Sequence, residues 1–297
     1  MNTKFYGTGV ALVTPFRDDF SVDFAALERL LEHTISGGVD YLVVMGTTGE
    51  SATVTKAERT EILNFVKQYN AGRLPIVYGI GGNNTVALLD TIRETDFTDV
   101  SAILSVSPYY NKPTQRGIVA HYEAVADACP VPVILYNVPG RTASNMTVAS
   151  TLELAKHRNI IGVKEASGDM AQGLEIARDK PADFLFLAGD DMLTVPMTTF
   201  GAKGVISVIA NALPQLFSRM VNEALNSNYT NALPYLFQLS RINDLMYEEG
   251  NPVGVKSALK SLGICNDTVR LPLVSASESL SGRIKQTLQS MQLPELV

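Results

Sequence analysis

The sequence predicts an α/β architecture, a closed (β/α)8 (TIM) barrel over residues 1–226 followed by a small helical domain over residues 227–297. Three observations carry this expectation. Short β-rich runs recur eight times, helical stretches separate them, and beyond about Asn226 the β-rich runs stop while helical periodicity continues. Alternating strand and helix implies parallel pairing through right-handed crossovers, and eight such units fit closure into a barrel better than an open doubly wound sheet, the alternative the same pattern allows.

In chain order the β-rich runs are GTGVALVTP from Gly7, DYLVVMG from Asp40, PIVYGI from Pro75, SAILSVSP from Ser101, VPVILYNVP from Val131, IIGVKEAS from Ile160, FLFLAGD from Phe184 and GVISVIA from Gly204. They are rich in Val, Ile and Leu, as strands buried on both faces must be. After the first, DFAALERLLEHTISGG repeats apolar residues at helical spacing and closes at Gly; after the second, TKAERTEILNFVKQYNAG does the same. Past Asn226, ALPYLFQLSRINDLMYE, VGVKSALKSLG and ESLSGRIKQTLQSM read as helices.

The chain of 297 residues, 46% of them hydrophobic, can bury a large core, which argues against disorder. A net charge of −6 with scattered Lys and Arg offers no basic footprint for nucleic acid, so a small molecule is the expected partner. The N-terminal MNTKFYGTGVALVTP lacks the features of a signal peptide, and no apolar run reaches the roughly 18 residues of a membrane span; a cytoplasmic location is expected. Cys129 and Cys265 stand far apart without ligand spacing and read as buried, inert thiols. His33, His121 and His157 fall singly on predicted helices and read as packed or solvated, so neither metal nor cofactor is expected. GIGGNN, from Gly79, lacks the spacing of a dinucleotide-binding turn.

In a barrel of this kind, chemistry gathers where strands end. There the sequence places GTTGES, SPYYNKP, YNVPGRT, KEASGD and GDD. Lys164 is the anomaly, a cation inside an apolar run. Alternation puts it on one face with the small residues Gly162 and Ala166, and puts Glu165 on the other, so the two neighbours do not form an ion pair. Desolvation disfavours an ammonium in a barrel interior, and the neutral amine is the form that attacks carbonyls. Snorkelling to solvent, or pairing with a carboxylate such as Asp190, is the alternative. Tyr136, near the end of the neighbouring run, reads either as a phenol beside that amine or as a core aromatic. GTTGES offers hydroxyls and N–H groups just before a helix, suited to an anion, or is a plain connection. Arg141 is either a carboxylate clamp at the barrel mouth or a surface residue.

GTTGES, SPYYNKP, YNVPGRT, IIGVKEASGD, GDD with GVISV, and NPVGVK occur together and in order. In this the chain resembles the dihydrodipicolinate synthases over essentially its whole length, within a wider superfamily of pyruvate-dependent class I aldolases that includes N-acetylneuraminate lyases and sugar-acid aldolases. The resemblance implies that Lys164 forms an imine with pyruvate, that Tyr136 relays protons with Thr47 and Tyr110, that Thr48 holds the pyruvate carboxylate, and that backbone carbonyls of Gly189 and Ile206 line the pocket. It also implies that Arg141 holds the carboxylate of L-aspartate 4-semialdehyde, whereas sialic acid lyases lack an arginine there. In the family the tyrosine matching Tyr110 reaches into a neighbour's site, so a dimer or a homotetramer built as a dimer of dimers is implied. Lysine-inhibited members bind their effector between subunits through residues matching Ser51, Ala52, Lys56, Arg59, Asn83, Ala87 and Tyr109. Here Ala87 replaces a glutamate and Lys56 a histidine, which implies a degenerate effector site. Lys256, in NPVGVK, reads as structural or interfacial. A different pyruvate aldolase or lyase, and a non-catalytic barrel acting as a binding subunit, are the competing readings.

Overall fold

The computed structural model describes residues 2–291. Eight parallel strands close into a barrel in sequence order: β1 (Gly7–Ala11), β2 (Tyr41–Val44), β3 (Ile76–Gly79), β4 (Ala102–Val106), β5 (Val133–Asn137), β6 (Ile160–Glu165), β7 (Leu185–Ala188) and β8 (Gly204–Ser207), with β8 pairing back onto β1. Each of the eight runs supplies one strand, and closure excludes the open sheet.

The strands are buried on both faces, as their composition requires. Residues facing outward, among them Val10, Leu42, Ile103, Leu135, Val163 and Phe186, pack under the surrounding helices in one apolar cluster. Those facing inward, among them Val43, Val77, Leu104, Ile134, Leu187 and Ile206, form a second cluster inside the barrel. A 3-10 turn at Thr3–Phe5 closes the lower end. Its Phe5 packs edge-on against Tyr41, centroids 5.7 Å apart, and the Tyr41 hydroxyl donates to the Val205 carbonyl at 3.1 Å. The interior is therefore a packed core below and opens only at the strand C-termini.

Local signals explain the helix boundaries. The Asp23 side chain accepts the Ala26 N–H at the start of α1 (Phe24–Ser36), and Thr55 and Glu58 form a reciprocal capping box at the start of α2 (Lys56–Asn70). α1 closes at Gly37 as expected, but α2 ends at Asn70 and is capped by Ala71, one residue before Gly72, in the left-handed conformation at φ +47°. Next come α3 (Thr85–Glu94), α4 (Gln115–Ala128), the short α5 (Pro139–Thr142), α6 (Val148–Leu154), α7 (Met170–Asp179), α8 (Thr194–Thr198) and α9 (Pro214–Leu225). α10 (Tyr229–Glu248) packs on α8 and α9, and α11 (Val253–Ser261) and α12 (Glu278–Ser290) pack on α10.

His33 and His121 lie on α1 and α4, but His157 does not lie on a helix. It falls in the turn after α6, where its Nδ1 accepts the Asn159 N–H and its Nε2 faces Asp127 Oδ1, so the side chain ties the turn instead of extending the helix. His33 bonds the Ala212 carbonyl through Nε2, and His121 Nδ1 meets the Thr85 hydroxyl. Burial pushes the His121 imidazole down to about 4. Both cysteines are buried free thiols.

Gly162 shows how little room the barrel has beside Lys164. A Cβ there would lie 2.5 Å from the Cβ and 2.5 Å from the carbonyl oxygen of Leu185 on β7. The backbone atom cannot yield without moving the strand. Gly162→Ala is expected to destabilise the fold by about 1–3 kcal/mol, the usual range for overpacking, read as a lowered midpoint in urea denaturation.

Candidate active site

The strand ends meet at a cavity of about 230 Å³ lined by Thr47, Thr48, Tyr136, Arg141, Lys164, Gly189 and Asp190, among others. Lys164 sits at the end of β6, 5% exposed, facing inward as alternation requires. Its backbone pairs with β5 and β7, and among the described residues its ammonium makes no ion pair and no hydrogen bond. Asp190, the carboxylate suggested as a partner, instead accepts the N–H groups of Met192 (2.9 Å) and Leu193 (3.2 Å) through Oδ1.

Register brings Tyr136 to Lys164. On β5 and β6, Tyr136 pairs with Lys164 and Asn137 with Glu165, and the Lys164 Nζ stands 4.4 Å from the centre of the Tyr136 ring. The opposite face of the same strands fixes that register. Glu165 is buried outside the barrel and accepts Ser167 N–H (2.7 Å), Asn137 Nδ2 (3.1 Å) and Gln172 Nε2 (3.0 Å). Neutral donors thus satisfy this carboxylate without recruiting the neighbouring lysine.

GTTGES does not lead straight into a helix. Thr47–Gly49 form a 3-10 turn, and α2 begins only at Lys56, after its own cap at Thr55. The turn has no long helix behind it, so any anion there meets hydroxyls and loop N–H groups without a helix terminus. Thr48 is buried and its hydroxyl accepts Asn251 Nδ2 at 2.9 Å. Arg141, on α5, is exposed at the mouth, where its guanidinium faces solvent and cavity together. Gly189 lines the cavity where no side chain fits, since a Cβ would lie 2.5 Å from that of Ala166. Ile206 is an inward core residue, and Val208, two residues on, is the lining residue after β8.

Tyr110 is not brought to the lysine. It is 86% exposed, has a left-handed backbone at φ +77°, and lines neither this cavity nor the next. Tyr109 does line an adjoining cavity of about 380 Å³, together with Ser51, Ala52 and Arg59. The remaining effector positions lie outside that lining. Lys56 pairs with Glu94, Asn83 Nδ2 donates to the Tyr109 carbonyl at 3.2 Å, and Ala87 is exposed on α3. Lys256 is fully buried and pairs with Glu50, which makes it a structural residue.

Three polar lining residues were not anticipated. Asn243 and Tyr247 on α10, and Asn251 just before α11, bring the C-terminal helices into the cavity wall. The only signal for them is Asn251, which opens NPVGVK. Burial of its hydroxyl end, followed by the Asp191 and Asp190 carboxylates, pushes the Tyr247 phenol well above its usual range. Among the described residues no cluster of side chains has the makings of a metal site, and no helix is long and apolar enough to cross a membrane.

An amine at the floor of a strand-end cavity, unpaired with any carboxylate, is placed to meet a carbonyl compound there. A barrel built around such an amine is an imine-forming enzyme of the class I aldolase type. The chain belongs to the dihydrodipicolinate synthetase family, whose model matches residues 4–291. It is 52% identical to the 4-hydroxy-tetrahydrodipicolinate synthase of Cytophaga hutchinsonii over 282 residues, 95% of each chain. It is 53% identical to that of Flavobacterium psychrophilum over 281 residues, covering 94% of this chain and 96% of the relative. The chloride-inhibited dihydrodipicolinate synthase of Acinetobacter baumannii, solved in complex with pyruvate, superposes with a TM-score of 0.93 at 34% identity, covering 96% of this chain and 98% of that one.

Asp191, beside Asp190, gives the site a pH signature. Its Oδ2 accepts the N–H groups of Val208 (3.1 Å) and Ile209 (2.9 Å), its Oδ1 is buried without a partner, and burial pushes the carboxyl up from 3.8 to about 6. A carboxyl raised on folding contributes stability that is present below the unfolded value and lost as pH rises through the folded one. Asp191→Asn keeps an acceptor for both N–H groups and cannot ionise. Between pH 4.5 and 7.5 its unfolding free energy relative to the parent is expected to rise by about 2 kcal/mol, measured by urea denaturation at fixed protein concentration.

Proposed function

We propose that the protein is a 4-hydroxy-tetrahydrodipicolinate synthase, condensing pyruvate with L-aspartate 4-semialdehyde in the cytoplasm on the diaminopimelate route to L-lysine. The observation that carries this reading is the unpaired Lys164 amine over the Tyr136 ring at the cavity floor.

In this mechanism the neutral Lys164 amine adds to the pyruvate ketone, and loss of water leaves a protonated imine. The imine withdraws electrons, so the pyruvate methyl loses a proton to give an enamine. Its carbon attacks the aldehyde of the semialdehyde, and the α-amine of that substrate then displaces Lys164 from the imine carbon, closing the ring and releasing the enzyme. Tyr136 and Thr47 carry protons during addition and dehydration, with Tyr110 as the third member of the relay. Thr48 holds the pyruvate carboxylate, and the Gly189 and Ile206 carbonyls line the pocket around the lysine. Arg141, at the mouth, takes the semialdehyde carboxylate. That last assignment favours this substrate over the sugar acids of related aldolases.

Tyr110 cannot serve its own cavity from its exposed position, which supports its reaching the site of a second copy of this chain. Two such dimers would make a homotetramer. The pairing also bears on regulation. At the effector positions, Ala87 offers no carboxylate for a ligand ammonium and Lys56 adds a like charge, so L-lysine is expected to bind poorly there.

Borohydride reduction in the presence of pyruvate, followed by peptide mapping, tests the mechanism. The adduct is expected on Lys164, and an adduct on Lys256, or none, would sink the reading. Lys164→Arg should lower turnover by orders of magnitude while the fold persists. In the same assay Arg141→Ala should trap pyruvate as the parent does yet lose most of its turnover with the semialdehyde.

L-lysine titrated into the coupled assay tests the effector site. Half-inhibition is expected only above about 1 mM, equivalent to binding weaker than about 4 kcal/mol; inhibition at micromolar lysine would show that the site survives its substitutions.

A further inference from the structure

The turn that carries Thr47 and Thr48 is gripped from behind by residues some two hundred positions further along the chain. Glu50 terminates this turn. Its N–H donates to the Thr47 carbonyl at 3.0 Å, and its backbone takes the left-handed conformation, φ +55°. A non-glycine residue holds that conformation only when its surroundings fix it. Here both carboxylate oxygens are bound by the C-terminal segment: Oε1 accepts Lys256 Nζ at 2.5 Å and Oε2 accepts the Arg270 N–H at 3.0 Å. The pair is buried, with side-chain exposures of 0% for Lys256 and 1% for Glu50. Lys256 also donates to the Thr268 carbonyl at 2.8 Å, and the Lys256 and Arg270 cations each lie 4.3 Å from the centre of the Phe16 ring. Asn251, from the same segment, bonds the Thr48 hydroxyl, and its other amide atom is buried without a partner.

Stability alone does not account for such a pair. Burying two charges costs about as much as their attraction returns, and apolar residues of similar volume often serve a fold as well. What an ion pair adds is direction. An ammonium with two fixed acceptors and a carboxylate with two fixed donors admit one arrangement of the backbone between them, and that backbone carries the two threonines.

We infer that Glu50, Lys256 and Asn251 are positioning residues that hold the Thr47–Thr48 hydroxyls on the pyruvate site, making the C-terminal helices a working part of pyruvate binding. The inference deepens the proposed function and rests on it.

The pyruvate dependence of borohydride trapping on Lys164, measured beside the thermal midpoint, tests this. In the double variant Glu50→Gln/Lys256→Met, which removes both charges and keeps the volume, the thermal midpoint should stay close to the parent's. The pyruvate concentration for half-maximal trapping should rise at least fivefold, with less change in turnover at saturating pyruvate. Asn251→Ala leaves the ion pair intact and should show the same split. A smaller rise in Asn251→Ala overturns the inference whether or not the double variant folds, and so does a smaller rise in a folded double variant. Failure of the parent to trap would overturn the Lys164 reading together with this one, whereas trapping in the parent with unchanged variants overturns this inference alone.

Discussion

The structure depends on keeping one amine inside a closed apolar barrel without a counter-charge. In the proposed mechanism Lys164 is the imine-forming amine, and a carboxylate bonded to it would occupy the nitrogen that has to meet the carbonyl. The carboxylates around the strand ends find their partners elsewhere. Glu165, next in sequence, is turned outward by the strand period and saturated by Ser167, Asn137 and Gln172. Asp190 bonds the backbone of its own loop, Asp191 bonds the backbone after β8, and Glu50 is matched by Lys256. What remains against Lys164 is the face of Tyr136, 4.4 Å from the amine to the ring centre.

In the proposed mechanism the amine acts with partners on other strands, which makes barrel closure a catalytic requirement as well as a structural one. Tyr136 meets Lys164 only in one register of β5 on β6, and a slip of one residue in either strand would turn that strand's side chain out of the interior and part the two. The amide and carboxylate network behind these strands links Asn137, Glu165 and Gln172 across the same register pair. Polar groups on the outer face therefore specify the geometry of the inner one. An apolar belt of the same volume would pack there but would not distinguish one register from the next.

How much of this the sequence discloses follows from the range of each interaction. Strands buried on both faces are continuous apolar runs, so all eight are legible locally, and in such a run Lys164 stands out as the residue that does not belong. Its orientation follows from period-two alternation alone. Thr47 and Thr48 are legible as a polar turn, but their 3-10 geometry is not, because the next helix brings its own cap several residues later. His157 reads as helical until its ring is seen bonding the turn after α6. Asn243 and Tyr247 carry no local mark of a site, since they reach the cavity through the packing of α10 on α8 and α9, and Asn251 is marked only as the opening of NPVGVK. The partner of Glu50 is likewise hidden, because 206 residues separate it from Lys256 and neither flanking pattern encodes the other.

The same distances explain why the C-terminal helices cannot be treated as an appendage to a complete barrel. A (β/α)8 barrel with an open mouth leaves its βα loops free to move, and the hydroxyls proposed to hold a small carboxylate need placement to within about half an ångström. The loop after β2 has no long helix immediately behind it to supply that rigidity. Arg270 closes part of the gap by bridging Glu58 on α2, the Thr53 carbonyl and the Phe20 carbonyl, while Lys256 and Asn251 reach the turn itself. The barrel carries Lys164, and the helices that follow it bond the loop that lines the same cavity. Shape and chemistry at the mouth are thus divided between two segments of one chain, and neither contains the whole site.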